Sequence, residues 1–106
     1  MAGQGAEDME ITEGLLKELK KALRVKSSAA DSEVRGLVEA CLMELRIAGV
    51  YARSLEDPLC RQAATLYCKA HYGYDDKAEP FLEAYKALRD AMALSGDYKE
   101  KEGVQA

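Results

Sequence analysis

The chain has 106 residues, 48% of them hydrophobic and 32% charged, with a formal net charge of -4. That length suits one domain with a modest core, and no uncharged run is long enough for a membrane-spanning helix. Acids and bases are interleaved, so there is no basic stripe of the kind that grips duplex DNA.

Residues 1–11 are rich in glycine and acids and show little periodicity, which predicts a flexible N-terminal arm. The arm lacks the basic start and apolar stretch of a secretory signal, pointing to a protein made and kept in a cytosol. The three cysteines, Cys41, Cys60 and Cys68, are an odd number and read as reduced thiols, with Cys41 and Cys68 among core positions.

The first helix should begin after Thr12, whose hydroxyl can cap it, and run through EGLLKELKKALRV to Val25. Leu15, Leu16, Leu19 and Leu23 fall on one side and Lys17, Glu18, Lys20 and Lys21 on the other. KSSAADSE then reads as a loop ending in a cap at Asp31 or Ser32. Val34, Leu37, Val38, Cys41, Leu42 and Leu45 predict an amphipathic second helix closing at Ala48, with Gly49 left-handed and Val50 folded back on Leu45.

After a connector, Asp57 can cap a third helix that has Pro58 in its first position, where the missing N–H is no loss. Leu59, Ala63, Leu66, Tyr67 and Ala70 give it one apolar face, and Gly73 should end it. At ~1.5 Å per residue such a helix is roughly 22 Å long, enough to cross a small domain. YDDKAE is a polar turn, and Pro80 suits the first turn of a fourth helix. Phe81, Leu82, Tyr85, Leu88 and Met92 form its buried stripe, and Ser95 and Gly96 end it. Residues 97–106 are too polar to stay folded alone, with Tyr98 as their anchor.

The expected fold is all-α, a small four-helix bundle over residues 12–96 between a flexible arm at 1–11 and a tail at 97–106. Cys60, Cys68 and His71 share a helix, but a structural zinc site needs four ligands and a nucleophile needs an oriented base. No glycine-rich phosphate loop is present, and Asp75 and Asp76 sit in a turn where solvation is their ordinary state. The residues therefore predict no catalytic centre, no metal site and no cofactor.

The aromatic choice is more informative: six Tyr, one Phe and no Trp. A buried phenol needs a partner for its hydroxyl, whereas an interface tyrosine keeps one end wet. Tyr72 and Tyr74 flank Gly73, Tyr51 lies on a connector and Tyr98 in the tail, together suggesting contact with another chain.

The order of these signals resembles the small head-tail connector, or adaptor, proteins of tailed double-stranded DNA bacteriophages and prophages. The resemblance rests on ALRV at 22–25, IAGV at 47–50, DPL at 57–59 opening a helix that contains Tyr67 and Cys68 and ends at Tyr72 and Gly73, YKAL at 85–88, and SGDY at 95–98. It covers about Thr12 to Tyr98.

It implies a non-enzymatic virion component made in the bacterial host cytoplasm and placed at the head-tail junction. There, roughly a dozen copies would form a ring beneath the portal protein, extend the DNA channel without sequence-specific binding, and dock the next head-completion (stopper) or tail protein. In this reading the tail reaches the portal or a neighbouring subunit, with Asp97, Tyr98 and Lys99, and also Tyr72 and Tyr74, as partner-binding residues. The acidic balance would let DNA pass without sticking. The arm at 1–11 departs from the family pattern. The alternative is a small helical DNA-binding or regulatory module, which the acidic balance and the lack of a basic recognition helix disfavour.

Overall fold

The structure is a computed structural model and describes residues 11–51, 55–72 and 78–99. Among these residues lie four α-helices, α1 (Glu13–Leu23), α2 (Asp31–Ile47), α3 (Pro58–His71) and α4 (Ala78–Leu94), and the 3-10 turns Ser28–Ala30 and Gly96–Tyr98. No strand occurs among them, and none of the helices is long and apolar enough to cross a membrane. The all-α bundle expected from periodicity is the observed fold.

α1 starts as its sequence predicts, with Thr12 Oγ1 accepting from the Leu15 N–H at 3.1 Å. It stops two residues before the expected Val25. Arg24 enters the left-handed region (φ 61°), and the Arg24 and Val25 N–H groups donate to the carbonyls of Lys21 and Lys20. This double closure is usually made at a glycine. Here an arginine adopts it, and Val25, the next residue, packs partly buried on the core. α2 ends by the same device, here announced by its glycine: Gly49 has φ 96°, and the Val50 N–H donates to Leu45 O at 2.8 Å.

The start of α2 differs from expectation. Ser27 Oγ caps the 3-10 turn by accepting from the Ala29 N–H at 3.0 Å, and that turn runs directly into α2 at Asp31. Asp31 thus lies inside the helix, and its carboxylate takes the Lys20 ammonium at 2.6 Å instead of a backbone N–H. Within α2, Gly36 costs about 1 kcal/mol relative to alanine, and a Cβ placed there would meet nothing within 4 Å.

α3 is the central element, packing on α1, α2 and α4. Asp57 Oδ2 accepts from the N–H groups of Leu59 at 3.1 Å and Cys60 at 3.0 Å, with Pro58 in the first turn. Its buried face is Cys60, Ala63, Ala64, Tyr67 and Cys68, mostly small side chains that let three helices approach. This face is rotated from the expected one: Leu59 is 44% exposed, and Leu66 and Ala70 are half-buried. The expected stop at Gly73 lies outside the described residues, as does most of the arm and most of the tail.

α4 takes Pro80 in its first turn, as its sequence predicts. Only Tyr85 and Met92 of its expected stripe are buried; Phe81, Leu82 and Leu88 are half-buried because α4 lies at the edge and packs chiefly on α3. The core joins Leu15, Leu16, Leu19 and Leu23 of α1 to Val34, Val38, Cys41 and Leu45 of α2 and to the α3 face. Ile11 packs partly buried against it, and its carbonyl accepts from Arg35 Nη1 at 3.2 Å.

Candidate functional site

The chain's end is tied to the start of its central helix. Ser95 Oγ accepts from the Asp97 N–H at 3.1 Å and so caps the Gly96–Tyr98 turn. That turn brings Tyr98 back over the core. Its hydroxyl donates to Asp57 Oδ2 at 2.8 Å, and its carbonyl accepts from the Tyr51 N–H at 2.7 Å. One carboxylate therefore caps α3 and holds the final turn. Burial pushes the Asp57 carboxyl upward, but the Tyr98 hydroxyl and the backbone N–H groups of Cys60 and Leu59 outweigh it and leave the carboxyl below its ordinary value. Burial and the same carboxylate push the Tyr98 phenol up to about 12.

Of the residues singled out for partner contact, Asp97 and Lys99 flank the clip residue Tyr98. Asp97 and Lys99 are exposed, and Lys99 Nζ donates to Ala93 O at 3.1 Å. Tyr72 is half-buried at the end of α3. Tyr74 lies outside the described residues. Tyr51 is half-buried beside the clip, with the Arg46 guanidinium 5.5 Å from its ring centroid. The structure thus joins Tyr98 to Tyr51 and leaves Tyr72 elsewhere.

A second polar cluster lies between α2, α3 and α4. Glu44 accepts from the Tyr85 hydroxyl through Oε1 at 3.2 Å and from the Tyr67 hydroxyl through Oε2 at 3.4 Å, with Arg89 at 4.0 Å. Tyr67 also meets Tyr85 edge-on at 5.1 Å and His71 at 4.2 Å between ring centroids. These contacts bind three helices to one another.

The three cysteines are free and buried, and burial pushes each thiol up to about 12, away from nucleophilic use. Among the described residues no group of three or more His, Cys, Asp or Glu is placed to hold a metal. A shallow groove at the α1 and α2 starts is lined by Leu16, Lys17, Lys20 and Asp31, with the Lys20–Asp31 ion pair across it.

Among the described residues four large apolar side chains stand in solvent: Leu59, expected on a buried face, and Met43, Ile47 and Leu94, which the buried stripes do not include. Met43 and Ile47 are one turn apart on α2, and the signal for them is a second apolar spacing running opposite the buried one.

A family model described as "Phage connector protein" matches residues 15–99. The chain belongs to this phage connector family. No curated protein and no solved structure gives a match. In this head-tail connector the matched span runs from the first buried leucine of α1 to the residue after Tyr98, so it includes both the bundle and the clip at Asp57.

Proposed function

We propose that this connector is a structural ring subunit beneath the portal vertex of a tailed bacteriophage. It lengthens the DNA channel and presents a docking surface to the next head-completion or tail protein. The observation that carries the reading is the family match over residues 15–99. The fold supports it: the helices spend their inner faces on one core and leave their outer faces for contact with other chains.

In this reading the residues beyond Lys99 leave the bundle from a fixed point, because Tyr98 is held by Asp57 and Tyr51. A polar segment that folds poorly alone gains order by docking on the portal or on a neighbouring copy. Asp97 and Lys99 supply contacts at that exit, and Tyr72 and Tyr74 are the further contact residues of this reading.

Two truncations separate docking from folding. Removing residues 100–106 leaves the clip intact, so helicity and melting temperature stay unchanged while co-sedimentation with portal rings weakens. Removing 97–106 also takes Tyr98 and lowers the melting temperature. Undiminished portal binding by the shorter truncation would take the tail out of the mechanism. Electron microscopy of the mixture should show a second, coaxial ring on the portal, and bare portals at saturating connector would refute the function.

A further inference from the structure

The outer face of α2 is apolar, and among the described residues its Ala40 is half-buried against the core while Gly36, Met43 and Ile47 stand exposed. Gly36, Ala40, Met43 and Ile47 repeat at steps of four, three and four, opposite the buried Val34, Val38, Cys41 and Leu45. Met43 is 65% and Ile47 82% exposed. Gly36 weakens the helix without serving any contact inside the chain, since a side chain there would meet open space. Glycine in a helix interior is useful where another backbone comes close.

The outer face of α4 has the matching pattern. Pro80, Ala84, Ala87 and Ala91 repeat at the same steps of four, three and four, all exposed and opposite the buried Tyr85 and Met92. α2 and α4 both pack on α3 rather than chiefly on each other, so neither of these two faces is spent on the other helix of the same copy.

We infer that α2 of one copy packs antiparallel on α4 of the next, with Gly36 facing Ala91, Ala40 facing Ala87, Met43 facing Ala84 and Ile47 facing Pro80. This contact rests on the ring reading above and names the surfaces that would form it. The large residues of α2 meet small ones on α4, and glycine and alanine at the other end allow close approach.

The charges choose the partner. At 3.6 residues per turn, Arg35, Glu39 and Arg46 lie along one edge of the α2 face, and Asp90, Lys86 and Glu79 lie along the α4 edge that meets it in this register. All three facing pairs are of opposite sign. Arg35 already holds Glu13 and Asp90 holds Arg89, so the Glu39–Lys86 and Arg46–Glu79 pairs carry the match. Two α2 faces would instead set Arg35 against Arg46, and two α4 faces set Glu79 against Asp90 as often as Glu83 against Lys86, so a head-to-tail contact with every pair opposite in sign wins over either symmetric one. Such a contact repeats from copy to copy and can close a ring. A single helix pair is small beside the roughly 1,600 Å² of a standard stable interface. The contact is therefore weak for two free copies and strengthens when copies are held side by side.

Cross-linking tests the register. Met43→Cys and Ala84→Cys chains, mixed at high concentration with a short bis-maleimide, should give a heterodimer several-fold above either chain alone. Wild type gives no product because its thiols are buried. Met43→Cys mixed with Ala91→Cys, two turns out of register, should give little. Equal linking of Met43→Cys to itself, or no product in any mixture, would overturn the contact. Arg46→Glu should reduce the product, and Glu79→Arg on the partner chain should restore it; failure of that restoration counts against the register. Ile47→Glu, at a solvent-facing position, keeps the monomer's melting temperature and is run separately with portal rings. Absence of the Met43→Cys–Ala84→Cys product with portal binding retained overturns this contact alone, whereas loss of portal binding by wild type removes the ring reading.

Discussion

Glu44 carries more of the bundle than its half-exposed position suggests, because both of its oxygens receive phenol hydroxyls from other helices. Removing it leaves the fully buried Tyr85 short of an acceptor, so Glu44→Ala should destabilise by about 1–3 kcal/mol in urea unfolding. Tyr85→Phe should cost less, since the carboxylate it abandons can turn to water. The buried thiols and phenols also set a pH limit. A group whose pKa is higher folded than unfolded contributes its full stability below its ordinary value and loses it as pH rises through the folded one. Each cysteine moves from an ordinary 9.0 to about 12 through burial, and Tyr98 from 10.0 to about 12 through burial and its Asp57 contact. Circular dichroism should therefore show stability level near neutrality and falling between pH 9 and 12; an unchanged melting temperature across that window would contradict it. The core leucines, valines and two of the cysteines were readable from spacing, because a helix buries what recurs every three or four residues. Glu44 was not, since a carboxylate serving two hydroxyls looks in one dimension like any other surface acid.

At the scale of elements, the starts and stops with dedicated chemistry were legible: Thr12, Asp57 with Pro58, and Gly49 with Val50. Boundaries set by packing were not. Arg24 turns left-handed without being glycine, and the 3-10 turn at Ser28–Ala30 absorbs the expected cap. The Tyr98 clip was hidden for the same reason, as its two partners lie far away in sequence, with Asp57 already committed to its own helix. This double use makes Asp57 the position to test. Asp57→Ala removes an N-cap, which costs about 0.5–2 kcal/mol, and releases Tyr98 as well. Tyr98→Phe releases the clip but leaves the cap. Thermal unfolding should rank the two with Asp57→Ala the more destabilising, and hydrogen exchange at Ser95–Lys99 should rise in both. Equal stability of Asp57→Ala and wild type would deny the carboxylate either role.

For the whole molecule, the question is how an acidic chain would treat DNA passing beside it. The net charge is -4, yet Lys17 and Lys21 stand exposed one turn apart on α1 and Arg24 is exposed just past its end, while Lys20 is held by Asp31. A helix-turn-helix reader would need a free recognition helix after a short turn. Here α3 is buried against three neighbours, and residues 48–57 separate it from α2. The patch is two cations on one short helix and a third at its end, and phosphate affinity falls steeply with salt in proportion to the contacts made. The isolated protein should therefore fail to retard duplex DNA in a gel above low salt, and Lys17→Glu with Lys21→Glu should leave its melting temperature unchanged because both side chains are exposed. Tight, salt-resistant retardation that this double variant abolishes would mean that α1 is a DNA-gripping face, and a subunit that holds DNA so firmly could not line a channel through which DNA must pass.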